Sequence, residues 1–157
     1  MVKIREYRPE DVQQVLACQI ELQDFLHALE PIILEGKVIA KTYLDFVFAR
    51  CAETDGKVFV AEVASQIVGF IALWTKVKPE DLDEEPLEYA FISDLVVLPS
   101  YRGQRLGRAL LQKAEEYARS HGATTLKLEV LAKNDVARNL YKNYGFREYH
   151  LLLEKSL

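Results

Sequence analysis

Leu95-Val96-Val97-Leu98-Pro99-Ser100-Tyr101-Arg102-Gly103-Gln104-Arg105-Leu106-Gly107-Arg108-Ala109-Leu110-Leu111 is the stretch from which the rest of the chain can be read. Four consecutive apolar residues stopped by a proline suit a strand covered on both faces. Beyond the turn, Leu106, Ala109, Leu110, Ala114 and Tyr117 recur at helical spacing. Between strand and helix lie Gly103, Gly107, Arg102, Arg105 and Arg108, in a chain whose formal net charge is -4. A strand that enters a helix through such a turn points unpaired N–H groups outward. Those amides, the positive end of the helix dipole and the arginines together suit an anion, above all a phosphate.

Outward from this stretch, 157 residues of which 50% are hydrophobic suffice for one well-buried domain, 1–157. The acidic balance argues against nucleic acid as a partner, because a basic face is the expected footprint. Cys18 and Cys51 stand far apart in predicted helices, and three scattered histidines give no zinc-ligand spacing. No metal is expected, and a reducing, cytoplasmic setting is. The N-terminus lacks an apolar core of signal-peptide length. The longest apolar-rich run, 58–74, is broken by Glu62 and by Ser65-Gln66, so it reads as two strands and a turn rather than a membrane span.

In chain order, alternation predicts a strand over 2–7, and Pro9-Glu10-Asp11 starts a helix that runs to Glu30-Pro31. A second helix is predicted over 38–52 and a strand pair over 57–64 and 67–76. An acidic loop at 79–88 precedes a strand at 89–98, and the helix from Leu106 stops at His121-Gly122. A strand at 124–132, a helix from Asn134-Asp135 to Gly145 and a last strand at 149–154 complete the order. The central meander should be antiparallel and the strand–helix–strand unit around the turn a parallel crossover. The fold class is therefore α+β with a mixed, mostly antiparallel sheet and one parallel strand pair.

Two phosphate loops are excluded. Gly107 is followed by Arg108-Ala109, without the lysine and magnesium-binding hydroxyl of a Walker loop. Only two glycines stand where a dinucleotide fingerprint needs three. Arg102-Gly103-Gln104-Arg105-Leu106-Gly107 instead resembles the acyl-CoA loop of the GNAT superfamily of N-acetyltransferases, Gln/Arg-x-x-Gly-x-Gly/Ala, with Arg105 where the middle glycine is usual. Further on, Asn134, Ala137, Tyr141, Gly145 and Phe146 match its Asn-x-x-Ala-x-x-x-Tyr-x-x-x-Gly-Phe signature. Both motifs in the right order make the resemblance specific.

The resemblance implies acetyl-CoA as cosubstrate, its pantetheine arm lying between two splayed parallel strands. Leu95, Val96 and Val97 would hold the arm, with Asn134 either bonding it or capping its helix. Arg102, Gly103, Gln104, Arg105, Leu106, Gly107 and Arg108 would surround the pyrophosphate. Attack on a thioester needs a neutral amine, whereas an alkylamine with pKa about 10.4 is mostly protonated at neutral pH. A base must take that proton, and Asp94 is the first choice, with Glu88, Glu129 or a water chain as alternatives. Tyr141 fits as the acid for the departing thiolate, with Tyr144 as the substitute.

Six carboxylates in the loop 80–88 would draw a cationic amine, or merely be solvated. Phe25, His27, Tyr43 and Phe46 would form the other wall of the acceptor site. The leading expectation is acetyl transfer to a primary amine of a small molecule or peptide through a ternary complex. A non-catalytic acyl-CoA-binding regulatory module and an acyltransferase using another acyl-CoA are the alternatives. The acceptor and the oligomeric state, a homodimer included, stay open.

Overall fold

The computed structural model describes residues Met1–Leu157. Its elements are β1 (Val2–Glu6), α1 (Val12–Leu29), α2 (Gly36–Glu53), β2 (Lys57–Val63), β3 (Gln66–Val77), β4 (Tyr89–Val97), α3 (Leu106–Ser120), β5 (Leu126–Leu128) and α4 (Asp135–Tyr144). The strands form one sheet in the order β1-β2-β3-β4-β5. The first four are antiparallel neighbours and β5 lies parallel to β4, so the predicted α+β class with a single parallel pair is the observed one. No helix is long and apolar enough to cross a membrane.

Side chains alternate across the strands and divide the core between two faces. On one face Phe59, Ile71, Leu73, Ala90 and Ile92 of the sheet pack against Leu106, Leu110 and Leu111 of α3. On the other, Val60, Phe70 and Val96 of the sheet pack against Val15 and Cys18 of α1 and Leu44 and Val47 of α2. Leu110 and Leu111 are fully buried, each worth about 1.5–3 kcal/mol relative to exposure.

One irregularity in β4 positions the site. Ala72 pairs with Asp94 and Leu73 with Ile92, so Ser93 is an extra residue in the ladder. This bulge inverts the alternation: Ala90 and Ile92 pack beneath α3, whereas Val96 packs beneath α1 and α2. Asp94 is carried to the α1–α2 face, beside Tyr43.

Several boundaries move for tertiary reasons. The helix expected over 38–52 begins at Gly36, where the Gly36 amide donates to Asp24 Oδ1 of α1 at 2.7 Å. The hairpin turn is Ala64-Ser65, both at positive φ, one residue earlier than expected. The strand expected over 124–132 shrinks to Leu126–Leu128, because it pairs with β4 at only three positions before the two strands diverge. The strand expected over 149–154 does not form. A strand exists only as part of a ladder, and the three-residue β5 offers too short an edge. The segment is anchored at its root, with Arg138 Nη2 donating to Glu148 Oε1 at 2.8 Å and the Tyr149 hydroxyl to Glu84 Oε1 at 3.3 Å.

Candidate active site

The parallel pairing of β4 with β5 ends at Ile92 opposite Leu128. Beyond it the two strands separate and leave one edge of β4 open. Leu98 N donates to Val68 O at 2.8 Å, which sets the phase of the antiparallel ladder with β3. Val96 and Asp94 therefore spend their backbone groups on β3, and those of Leu95 and Val97 face the open edge.

The turn after Pro99 continues this edge. Gly103 lies at φ 77°, and Arg105 caps α3 at φ 63°, ψ 13°. The left-handed conformation at Arg105 is one that glycine adopts freely and an L side chain enters at a cost of about 1–2 kcal/mol. Arginine here thus keeps the backbone shape of the glycine usual at this position. The amides of Gly103, Gln104, Arg105, Leu106, Gly107 and Arg108 find no hydrogen-bond acceptor within the chain. Ala109 N, 3.1 Å from Arg105 O, is the first that does. Six consecutive donors at a helix start form a nest for an anion. Gly107 has a packing duty as well, because a Cβ there would stand 3.1 Å from Leu140 Cδ2 of α4.

The arginines are spread around this nest. Arg102 donates Nε to Val97 O at 3.0 Å and lies 5.6 Å over the Phe25 ring. Arg108 lies 5.2 Å over Tyr144, and Arg105 is exposed.

Asp94 is only 7% exposed. Burial pushes its carboxyl up to about 6, against the restraint of hydrogen bonds from Ser93, Tyr43 and Gln19. The Tyr43 hydroxyl donates to Asp94 Oδ2 at 3.2 Å. Tyr141, on α4, is held up at about 12 by burial and then by the negative charge of Asp94, so the two groups share one electrostatic neighbourhood. The Tyr141 ring packs edge-on against Phe146, centroids 5.7 Å apart. Its hydroxyl has no partner in the chain.

The other named residues lie elsewhere or are occupied. The Tyr144 hydroxyl donates to Glu115 Oε2 at 2.7 Å, on α3. Glu88 and Glu129 are exposed. Asn134 Oδ1 accepts from Ala137 N at 3.2 Å, so its side chain caps α4. His27 Nδ1 is 2.5 Å from Ile33 O and closes the α1–α2 connection. Tyr43 and Phe46 adjoin each other on α2, ring centroids 6.4 Å apart. Gln19, absent from the sequence-based site, stands against Asp94 while only 1% exposed. Its signal in the sequence was an amide at an apolar position of α1, between Val15 and Leu22.

The acetyltransferase (GNAT) family model matches residues 22–146, which include Tyr43, Asp94, the turn after Pro99 and Tyr141. The chain belongs to the GNAT family. Among curated relatives of this GNAT chain, an N-acetyltransferase of Methanocaldococcus jannaschii, itself uncharacterized, is 33% identical over 82% of the chain. The chain spans only 57% of that relative's length, and 54% of a Bacillus subtilis relative's. The aminoalkylphosphonate N-acetyltransferase of Salmonella typhimurium is 29% identical, covering 96% of this chain and 97% of its own. An aminoglycoside N-acetyltransferase, AAC(6')-Iy, solved in complex with CoA, superposes with a TM-score of 0.71 at 14% identity. That match covers 100% of the GNAT chain and 95% of its counterpart, a likeness of fold.

Proposed function

We propose that residues 1–157 act as one domain that transfers the acetyl group of acetyl-CoA to a primary amine by direct attack within a ternary complex. The observation that carries this reading is the pairing of a buried carboxyl, Asp94, with a free phenol, Tyr141, beside a strand edge that runs into six unpaired amides. The donor set fits the cosubstrate. Backbone groups of Leu95 and Val97 suit the amides of a pantetheine arm, with Val96 between them. The amides from Gly103 to Arg108, with Arg102, Arg105 and Arg108 nearby, suit a pyrophosphate. Acetyl-CoA supplies an acyl group activated as a thioester, and the CoA complex of AAC(6')-Iy supports this choice of cosubstrate.

The chain's own groups then have separate tasks. Asp94, titrating near 6, is largely ionised at neutral pH and can take a proton from the acceptor's ammonium, leaving a nitrogen lone pair free to attack. Tyr141, near 12, stays protonated and can donate to the sulfur as the C–S bond breaks. The sulfur then departs as a thiol, pKa about 8.5, rather than as a free thiolate. Glu80, Asp81, Asp83, Glu85 and Glu88 are exposed on the loop before β4, whereas Glu84 faces Lys127. They favour a cationic acceptor. The two free thiols, Cys18 and Cys51, sit on separate helices and accord with a reducing compartment such as the cytoplasm.

The test is thiol release from acetyl-CoA with a panel of primary amines, repeated with propionyl- and succinyl-CoA. Turnover with a primary amine, lost in Asp94→Asn, is the expected result. Thermal stabilisation by CoA without transfer to any amine would instead identify a non-catalytic acyl-CoA-binding module.

A further inference from the structure

Gln19 sits in the core beneath β4 at 1% exposure, and its Oε1 atom has no hydrogen-bond partner. An orphaned buried carbonyl costs about 1–3 kcal/mol, so stability alone does not account for an amide here. An apolar side chain of the same length would fill the volume without that cost. Its polar neighbour is the Asp94 carboxyl of β4, whose proton affinity Gln19 lowers, and the Tyr43 hydroxyl donates to the same carboxyl from α2 at 3.2 Å. Two helices thus each bring one polar side chain to a single buried carboxyl placed on this face by the Ser93 bulge.

We propose that Gln19 and Tyr43 are positioning residues that fix the orientation and the proton affinity of Asp94 as the base for the acceptor amine. The inference rests on the role assigned to Asp94 above. The groups around that carboxyl are Gln19 from α1, Tyr43 from α2 and Ser93 from β4, with Cys51 from α2 and Tyr141 from α4 within its field. None is a cation. Hydrogen-bond donors, rather than an ion pair, therefore offset burial and keep Asp94 ionised at neutral pH. Removing one donor makes the carboxylate harder to form, and the acidic limb of the rate profile moves to higher pH.

The experiment compares Gln19→Met and Tyr43→Phe with the parent protein. It reads kcat/KM for an accepted amine from pH 5 to 9 and, independently of turnover, the 13C resonance of the Asp94 carboxyl. Each variant should raise the midpoint of the acidic limb and of the Asp94 titration by about 0.5–1 pH unit. Gln19→Met should melt at the same or a higher temperature. Midpoints that stay put while activity falls equally at every pH would reduce both residues to packing and overturn the inference. Should Gln19→Met fail to fold, Tyr43→Phe, which loses one oxygen, decides through the same two midpoints. An acidic limb that persists in Asp94→Asn would remove Asp94 as the base, an outcome separable from the first.

Discussion

Replacing Asp94 with asparagine should make the protein more stable and less active at once, and the gain should depend on pH in a calculable way. In the unfolded chain the carboxyl ionises around 3.8, whereas in the fold burial holds it to about 6. Between these values the folded state binds more protons than the unfolded state. Stability therefore falls as pH rises from about 4 to about 6, and levels off above. A difference of about two pH units at 1.36 kcal/mol each puts the penalty near 3 kcal/mol at pH 7.5. Asparagine has no such penalty, and its amide oxygen can still accept from the hydroxyl of Tyr43. Thermal melts of both proteins from pH 4 to 8 should nearly coincide at the acid end. At pH 7.5 they should differ by about 6–12 °C in favour of Asp94→Asn, taking about 2–4 °C per kcal/mol at this chain length. Turnover should fall by about 10²–10⁴-fold over the same range. A melting difference that is constant across pH, or a less stable variant at pH 7.5, would refute the view that Asp94 is a buried charge held for chemistry.

Three further outcomes follow from the geometry. Tyr141→Phe should lower kcat by about 10²-fold or more while the KM for acetyl-CoA stays within twofold, whereas Tyr144→Phe, whose hydroxyl serves Glu115, should leave kcat unchanged. Steady-state kinetics on the pair separates the two tyrosines. Arg105→Gly should keep acetyl-CoA affinity within about threefold, because the left-handed backbone and not the side chain shapes the nest, and Arg105→Val should weaken it by calorimetry. Arg5→Met should cost about 3–5 kcal/mol in denaturant melts at pH 7, since it leaves Asp11 buried without the guanidinium that donates to it at 2.7 and 2.9 Å. Arg5 holds the Asp11 carboxyl below its ordinary range, so this contribution is present above about pH 4 and is lost as pH falls further.

Most of the fold was legible because its signals are local. Alternation in β1, the apolar runs of β2, β3 and β4, the proline that ends β4 and the glycine beyond α3 each act on neighbouring residues and survive in any context. The strand expected over 149–154 was misread for the opposite reason: an apolar run shows that a segment can pair, not that an adjacent edge is long enough to receive it. The start of α2 was likewise invisible, since its amide is satisfied by Asp24 from another helix.

The site divides along the same line. The sequence by itself determined the turn after Pro99 that is proposed to hold the pyrophosphate, because glycine spacing, arginines and a helix start are consecutive along the chain and their amides need no distant partner. It also determined Asp94 and Tyr141 as candidates. Only the tertiary structure decided which face Asp94 occupies, since a one-residue bulge at Ser93 inverts the strand, and regular alternation would have sent the carboxyl beneath α3. The fold supported the sequence's preference for Tyr141 over Tyr144 by giving the Tyr144 hydroxyl to Glu115 and leaving that of Tyr141 without a partner in the chain. And only the fold brought Gln19 and Tyr43, on different helices, to the same carboxyl, because desolvation and hydrogen bonding depend on what is near in space rather than along the chain.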